Sequence, residues 1–365
     1  MIAALSLLLT LAAAPRVPVI DVTDLYHPHQ DIGDNVDILT AYSLPEIDLR
    51  AVILDVTERF RRPDAPDHGG PREAGYIPML QLNTIFGRNV PFAAGPSRAM
   101  RAPDDAMADL PRAELFGVDL LLETLRRSSE RVHILSFGSA RAIAVAYNRE
   151  PQLLRDKVAA IHLSAGDSAG KFLEWNVDLD PQAIIALLRS DLPIALYPCA
   201  TEAGPFAYGR HNGFWRLENL NFIGDMTPRL QAYLAYAFER TNRLDFLRAL
   251  DEPVSPQRQA GICRQGHNVW ETCVWINVSG RKLVRRADGH CAIVPPAEVG
   301  PGDQLLPNDL NPVRTEVDQR GLYRCTPVEG ASRRWLYDRG DPMVNERALR
   351  EALPALYRGY GRGLQ

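Results

Sequence analysis

The chain has 365 residues, 46% of them hydrophobic, enough to bury a large core, and no long polar linker divides it, so one catalytic-size domain over residues 15–365 is expected. A formal charge of -4 leaves no basic footprint for nucleic acid. Only Lys157, Lys171 and Lys282 are lysines, and the arginines are scattered as on a solvated surface.

Met1 to Ala14 is apolar apart from Ser6 and Thr10 and ends Ala12-Ala13-Ala14. It is too short to span a bilayer and reads as a secretory signal peptide over residues 1–14, which implies a periplasmic or secreted protein with no membrane attachment once it is removed. Val17 to Val22 reads as a strand, Thr23 to Gly33 as a polar loop, and Asn35 to Leu44 as a short helix closed by Pro45. Leu49 to Val56 is a second strand, with the apolar run of a strand covered on both faces, and Arg61 to Gly75 is a loop rich in Pro, Gly and charge.

Val132 to Phe137 is another strand, turning at Gly138-Ser139 into a helix over residues 140–149. Val158 to Leu163 and Pro193 to Pro198 are two more, with a helix between them that Asp180 caps and Pro181 opens. This alternation predicts an α/β fold with a largely parallel, open, Rossmann-like sheet and helices on both faces. Ligands of such sheets bind at the carboxyl ends of the strands. Further on the chain predicts helix over residues 228–250, a Pro/Gly-rich excursion over 292–312, and a terminal helix over 345–357. Cys199, Cys263, Cys273, Cys291 and Cys325 contain no C-x-x-C pair, which disfavours structural zinc; export would permit one or two disulfides.

Acidic residues crowd the segment after the first strand: Asp21, Asp24, Asp31, Asp34 and Asp37. Asp24 at the strand's end and Asp34 at the helix's start can converge at the sheet's carboxyl edge, where hard oxygen ligands without cysteine suit Ca²⁺ or Mg²⁺. The plain alternative is that they cap a turn and a helix. A second cluster runs Glu174-Trp175-Asn176-Val177-Asp178-Leu179-Asp180-Pro181. In an extended segment Glu174 and Asn176 would point one way, both able to bond sugar hydroxyls, and Trp175 the other.

Together these segments resemble the inosine–uridine-preferring nucleoside hydrolase family. Val22-Thr23-Asp24 is similar to its strand ending D-x-D, and the spacing from Asp34 to Pro45-Glu46-Ile47 matches without a gap. Phe137-Gly138-Ser139-Ala140-Arg141-Ala142-Ile143-Ala144 is similar to its T-G-x-x-T-N-I-A turn, and Glu174-Trp175-Asn176 before Asp180-Pro181 to its E-F-N-x-x-x-D-P segment. The resemblance covers residues 17–199 well and the C-terminal third loosely. It implies a calcium-dependent hydrolase of the N-glycosidic bond of ribonucleoside-like substrates. Ca²⁺ would be held by Asp24, Asp34, the Phe137 carbonyl and Glu271. Asp24 would be the general base. Glu174 and Asn176 would grip the sugar through an oxocarbenium-like state. The partner would be a small nucleoside or related furanoside, and relatives of this type commonly associate, so a homo-oligomer is expected.

The departures are specific. The first Asp of the family's pair is Gly33, which removes a ribose contact unless Asp31 supplies it. An Asn after the second strand aligns with Glu58, and another, before the E-F-N segment, with Ser168. The family's late His-Asp aligns with Trp270-Glu271; Trp270 cannot donate a proton as histidine does, but it can stack on a base. Two rival readings keep part of this picture: a catalytically degenerate sugar- or calcium-binding protein on the same fold, and a metal-dependent amidohydrolase barrel using His27 and His29, either of which could instead replace the missing leaving-group acid. Gly166 to Lys171 is one residue short of a phosphate loop, with Phe172 where Ser or Thr is required. Ser139 and Ser164 lack the glycines of a nucleophile elbow.

Overall fold

The computed structural model describes residues 16–29, 31–61, 72–239 and 243–362. The proposed signal peptide, residues 1–14, and most of the loop expected over 61–75 lie outside the described residues. No helix among the described residues is long and apolar enough to cross a membrane.

Strands β1 (Val17–Thr23), β2 (Ile47–Leu54), β3 (Phe92–Ala94), β4 (Val132–Phe137), β5 (Val158–Leu163) and β6 (Ile194–Leu196) form a parallel block in the order β6-β5-β4-β1-β2-β3. Helix α1 (Ile32–Ser43) follows β1, and Arg141–Arg149 and Pro181–Arg189 follow β4 and precede β6. The apolar strands are sandwiched: along β1, Val19 belongs to one buried cluster, while Ile20 and Val22 belong to the other. The same split separates Leu135 from Ile134 on β4. A strand with period-two alternation between two dry layers needs apolar residues on both faces, hence the unbroken hydrophobic runs.

Three strands extend the sheet beyond the parallel block. Arg334–Asp338 joins β6 in parallel, then Asp309–Val317 and Tyr323–Pro327 add antiparallel, bringing the sheet to nine strands. The excursion expected over 292–312 is therefore partly strand, and smaller sheets form from Lys282–Arg285 with Cys291–Val294 and Gln304–Leu305, and from Trp215–Leu217 with His267–Val269. Most of these strands are only two to five residues long, too short to carry a periodic signal, and their register comes from long-range pairing. The sheet is open, which sets aside the amidohydrolase barrel. The helix expected over 228–250 is Pro228–Glu239, with a short helical turn at Arg248–Asp251, and the terminal helix runs Pro342–Arg358. All five cysteines are free, so the disulfides that export would permit are not formed.

A buried polar chain crosses the sheet. His133 Nδ1 lies 3.0 Å from His162 Nε2, and His162 Nδ1 lies 3.1 Å from the Tyr197 hydroxyl. Burial, and then the neighbouring His133, push the His162 imidazole down to about 3. Such a histidine folds neutral but takes a proton near pH 6.5 when unfolded, so its contribution is present above that pH and lost as the pH falls from 6.5 toward 3. Urea titrations from pH 7 to 5 are expected to show wild-type stability falling more steeply than that of His162→Asn, by up to about 1.4 kcal/mol per pH unit. Parallel curves would refute it.

Candidate functional site

The carboxyl ends of β1, β4 and β5 open into a cavity of about 250 Å³ lined by Asp24, Asp34, Phe137, Glu174, Asn176 and Glu271, with Asp31, Trp175 and Trp270 at its sides. The residues that the resemblance assigns to metal, sugar or base contact thus line one cavity. His27 and His29 do not line this cavity. His27 stacks on Tyr236 at 5.1 Å and His29 packs edge-on to Phe238, so neither is placed as a leaving-group acid.

Asp24 leaves β1 buried at 7% exposure, in a turn closed by the Tyr26 amide on its own carbonyl at 2.8 Å. Helix α1 begins three residues earlier than expected, because Asp31 is its cap: the Asp31 carboxylate accepts from the Gly33 amide at 2.8 Å. Asp34 is thereby freed from capping and sits in the first turn facing the cavity. Glu271 arrives from the other half of the chain, between His267–Val269 and the helix Thr272–Ser279.

Burial first, then repulsion by Asp55 and Glu271, raises the Asp24 carboxyl well above the usual range. Burial and then Asp24, Asp31 and Glu271 do the same to Asp34. Glu271 is raised by burial, opposed by a hydrogen bond from Asp37. The neighbours acting most strongly on Asp24 and Asp34 are thus like charges, which a cation would relieve. The donor set is oxygen only and suits a hard divalent ion. Among the described residues, no three His, Cys, Asp or Glu side chains stand drawn together as a finished ligand cage. The fit therefore lies in charge and donor chemistry, with Asp24, Asp34 and Glu271 all lining the cavity.

On the sugar side the local structure differs from the extended segment expected. Glu174 caps a short helix, Trp175–Leu179, accepting from the Asn176 amide at 3.1 Å and the Gly166 amide at 2.8 Å. The would-be phosphate loop therefore hands its amide to Glu174. Asn176 lies in the first turn, its side-chain amide donating to the Ser164 carbonyl at 2.9 Å, and Trp175 lines the cavity rather than facing away from it. The Trp270 indole N–H is spent on the carbonyls of Cys199 at 2.9 Å and Pro205 at 3.3 Å, and its ring leans on Phe214 and Phe206. Phe206, 62% exposed, stands at the rim. The indole is thus held as an apolar wall.

Sequence reasoning named Asp37 only as one of the acidic cluster, without a role, and missed Asp55. Asp37 stands three residues after Asp34, hence on the same helix face, and that spacing was the available signal. Glu58, aligned with a family Asn, is exposed at the start of the short helix Glu58–Arg61 and lies off the cavity, as does Ser168. The acid at the end of β2 is Asp55, whose carboxylate accepts from the Ser139 amide at 2.6 Å and hydroxyl at 2.8 Å. It forces glycine at 138, where a Cβ would stand 2.4 Å from Asp55 Oδ2. Cys199 and Phe206 carried no motif and were found only by folding.

No protein-family model matches the chain. Over 185 residues it is 25% identical to the pyrimidine-specific ribonucleoside hydrolase RihA of Salmonella enteritidis PT4. Over 182 residues it is 26% identical to the protein of that name from Escherichia coli O127:H6. Each match takes in 45% of this chain and 55% of the relative, so the chain spans about half the length of the curated relatives it matches. In fold it is similar to the plant nucleoside hydrolase PpNRh1, with TM-score 0.53 and 16% identity over 95% of this chain and 99% of that one. A purine-preferring ribonucleoside hydrolase from Gardnerella vaginalis gives TM-score 0.53 and 16% identity, covering 93% and 99%. The effector protein XOO4466 gives 0.55 and 15%, covering 95% and 94%. The α/β architecture with a mostly parallel central sheet is that of nucleoside hydrolases.

Proposed function

We propose that the protein hydrolyses the N-glycosidic bond of a ribonucleoside-like substrate in a calcium-dependent reaction. The observation that carries this reading is the meeting of Asp24, Asp34, Glu271, Glu174 and Asn176 in one cavity beside an aromatic wall. The fold similarity to nucleoside hydrolases and the local sequence similarity to ribonucleoside hydrolases support it.

Asp24, Asp34, Glu271 and the Phe137 carbonyl would hold Ca²⁺, which when bound supplies Lewis acidity and an anchor for ribose hydroxyls. Asp24 accepts the proton of the attacking water, its carboxylate being aimed into the cavity from a rigid strand end. Glu174, fixed by two backbone amides, and Asn176 hold the sugar hydroxyls while charge develops at the anomeric carbon. Trp270 and Phe206 flank the leaving base and keep water from that side.

A para-nitrophenyl riboside tests the reading, because its leaving group departs without an acid. Cleavage is expected to fall about 10²-fold in chelator and to return with added Ca²⁺. Calcium-dependent binding of the riboside without cleavage would instead identify a degenerate binding protein, and cleavage indifferent to chelator would remove the metal.

A further inference from the structure

We propose that His267 is a positioning residue for Asp31, and that the pair grips one hydroxyl of the pentose. This rests on the reading above and adds to it the group that fixes the sugar's orientation. The starting point is Gly33. Its backbone is not among those with positive φ, so chain conformation does not demand glycine there. Space does: a Cβ at 33 would stand 2.7 Å from His267 Nε2 and 3.2 Å from Asp31 Oδ1.

His267 cannot easily yield that space. It is 8% exposed and belongs to the strand His267–Val269, paired antiparallel through Leu217 to Trp215–Leu217. Its Nε2 lies 3.3 Å from Asp31 Oδ1, close enough for an electrostatic contact, and is without a formed hydrogen bond among the described residues. The same Asp31 oxygen accepts the Gly33 amide at 2.8 Å. One carboxylate oxygen is therefore hydrogen-bonded to backbone on one side and faced by the imidazole on the other, and Asp31 still lines the cavity. That leaves its second oxygen to accept from a sugar hydroxyl. The amide bond on Oδ1 and the imidazole standing against the same oxygen restrict the carboxylate plane, so the second oxygen is held in one direction rather than sweeping the cavity. Asp31 and His267 also line the adjoining open groove, so the pair forms the divide between solvent and the cavity. The small residue at 33, the imidazole over it and the acid two residues earlier form one device.

The test is a double-mutant cycle on Gly33→Ala and His267→Ala, read with the para-nitrophenyl riboside and its analogues lacking one ring hydroxyl each. His267→Ala is expected to raise KM about tenfold with kcat nearly unchanged, and to erase the penalty for one particular missing hydroxyl. Gly33→Ala, by pushing the imidazole away, should do the same, and the double variant should be no worse than either alone. His267→Gln, which keeps a polar side chain of similar reach against Asp31, should restore most of the KM. Fully additive effects, or an unchanged hydroxyl preference in His267→Ala, would overturn the proposal. Circular dichroism and Tm separate any unfolded variant from these outcomes. If the wild type does not cleave the riboside, the hydrolase reading fails on its own. The pair is then judged by calorimetric binding of an iminoribitol mimic of the pentose, tightened by His267 if the proposal holds and indifferent to it if not.

Discussion

Asp24→Asn is expected to lose turnover of the aryl riboside by about 10³-fold and, in chelator, to melt at a higher temperature than the wild type. Both effects have one cause. Asp24 is buried and faces the negative charges of Asp55, Glu271 and Asp31, so its carboxyl is held well above the usual carboxylate range. A carboxyl with a raised folded pKa contributes its stability only at low pH and loses it as the pH rises toward the folded value. At neutral pH the metal-free protein therefore bears a cost that the neutral amide removes. The amide has no proton-accepting oxygen of comparable basicity, so the water it touches is not activated. The gain in Tm should shrink when Ca²⁺ is added, because the cation relieves the same repulsion in the wild type. An Asp24→Asn variant that keeps full activity, or that is less stable than wild type in chelator, would contradict this account of the site.

Asp180→Ala is expected to destabilise the fold by roughly 3–5 kcal/mol, measured as the shift in urea midpoint. The Arg141 and Asp180 side chains are 1% and 0% exposed, and Arg141 Nε lies 2.7 Å from Asp180 Oδ2. Asp180 also caps the helix Pro181–Arg189 through the Ala183 amide at 3.1 Å and accepts from the Met100 amide at 2.9 Å. Arg141 donates to the carbonyls of Val56, Pro96, Ser97 and Leu179, clamping the loops after β2 and β3 to the helix that carries Asn176. Alanine would leave a guanidinium buried without its counter-charge and two amides without an acceptor. The replacement of both partners, Arg141→Met with Asp180→Leu, should recover part of the loss, since no charge then remains buried. A shift below about 1 kcal/mol for Asp180→Ala would show that the pair is not held as described.

The parallel block and one rim of the site could be read from the chain because their signals are local. Apolar runs at Val132–Phe137 and Val158–Leu163 coincide with β4 and β5 residue for residue. Asp180 before Pro181 marked a helix start that the structure keeps. Asp24 and Asp34 were visible because strand ends and helix starts place side chains predictably. The short helix at Glu174 was not visible: it is only five residues long, and the Gly166 amide that also holds its capping carboxylate comes from a loop that only the fold brings close.

Local periodicity and capping chemistry were thus enough to announce a parallel α/β sheet with acids along its carboxyl rim, since both act over a few residues. Contacts between distant segments decided the rest: Glu271 beside Asp37, His267 above Gly33, and the late strands that carry the sheet to nine. Those depend on loop closure across hundreds of residues, and like charges are held together there only because the surrounding core outweighs their repulsion.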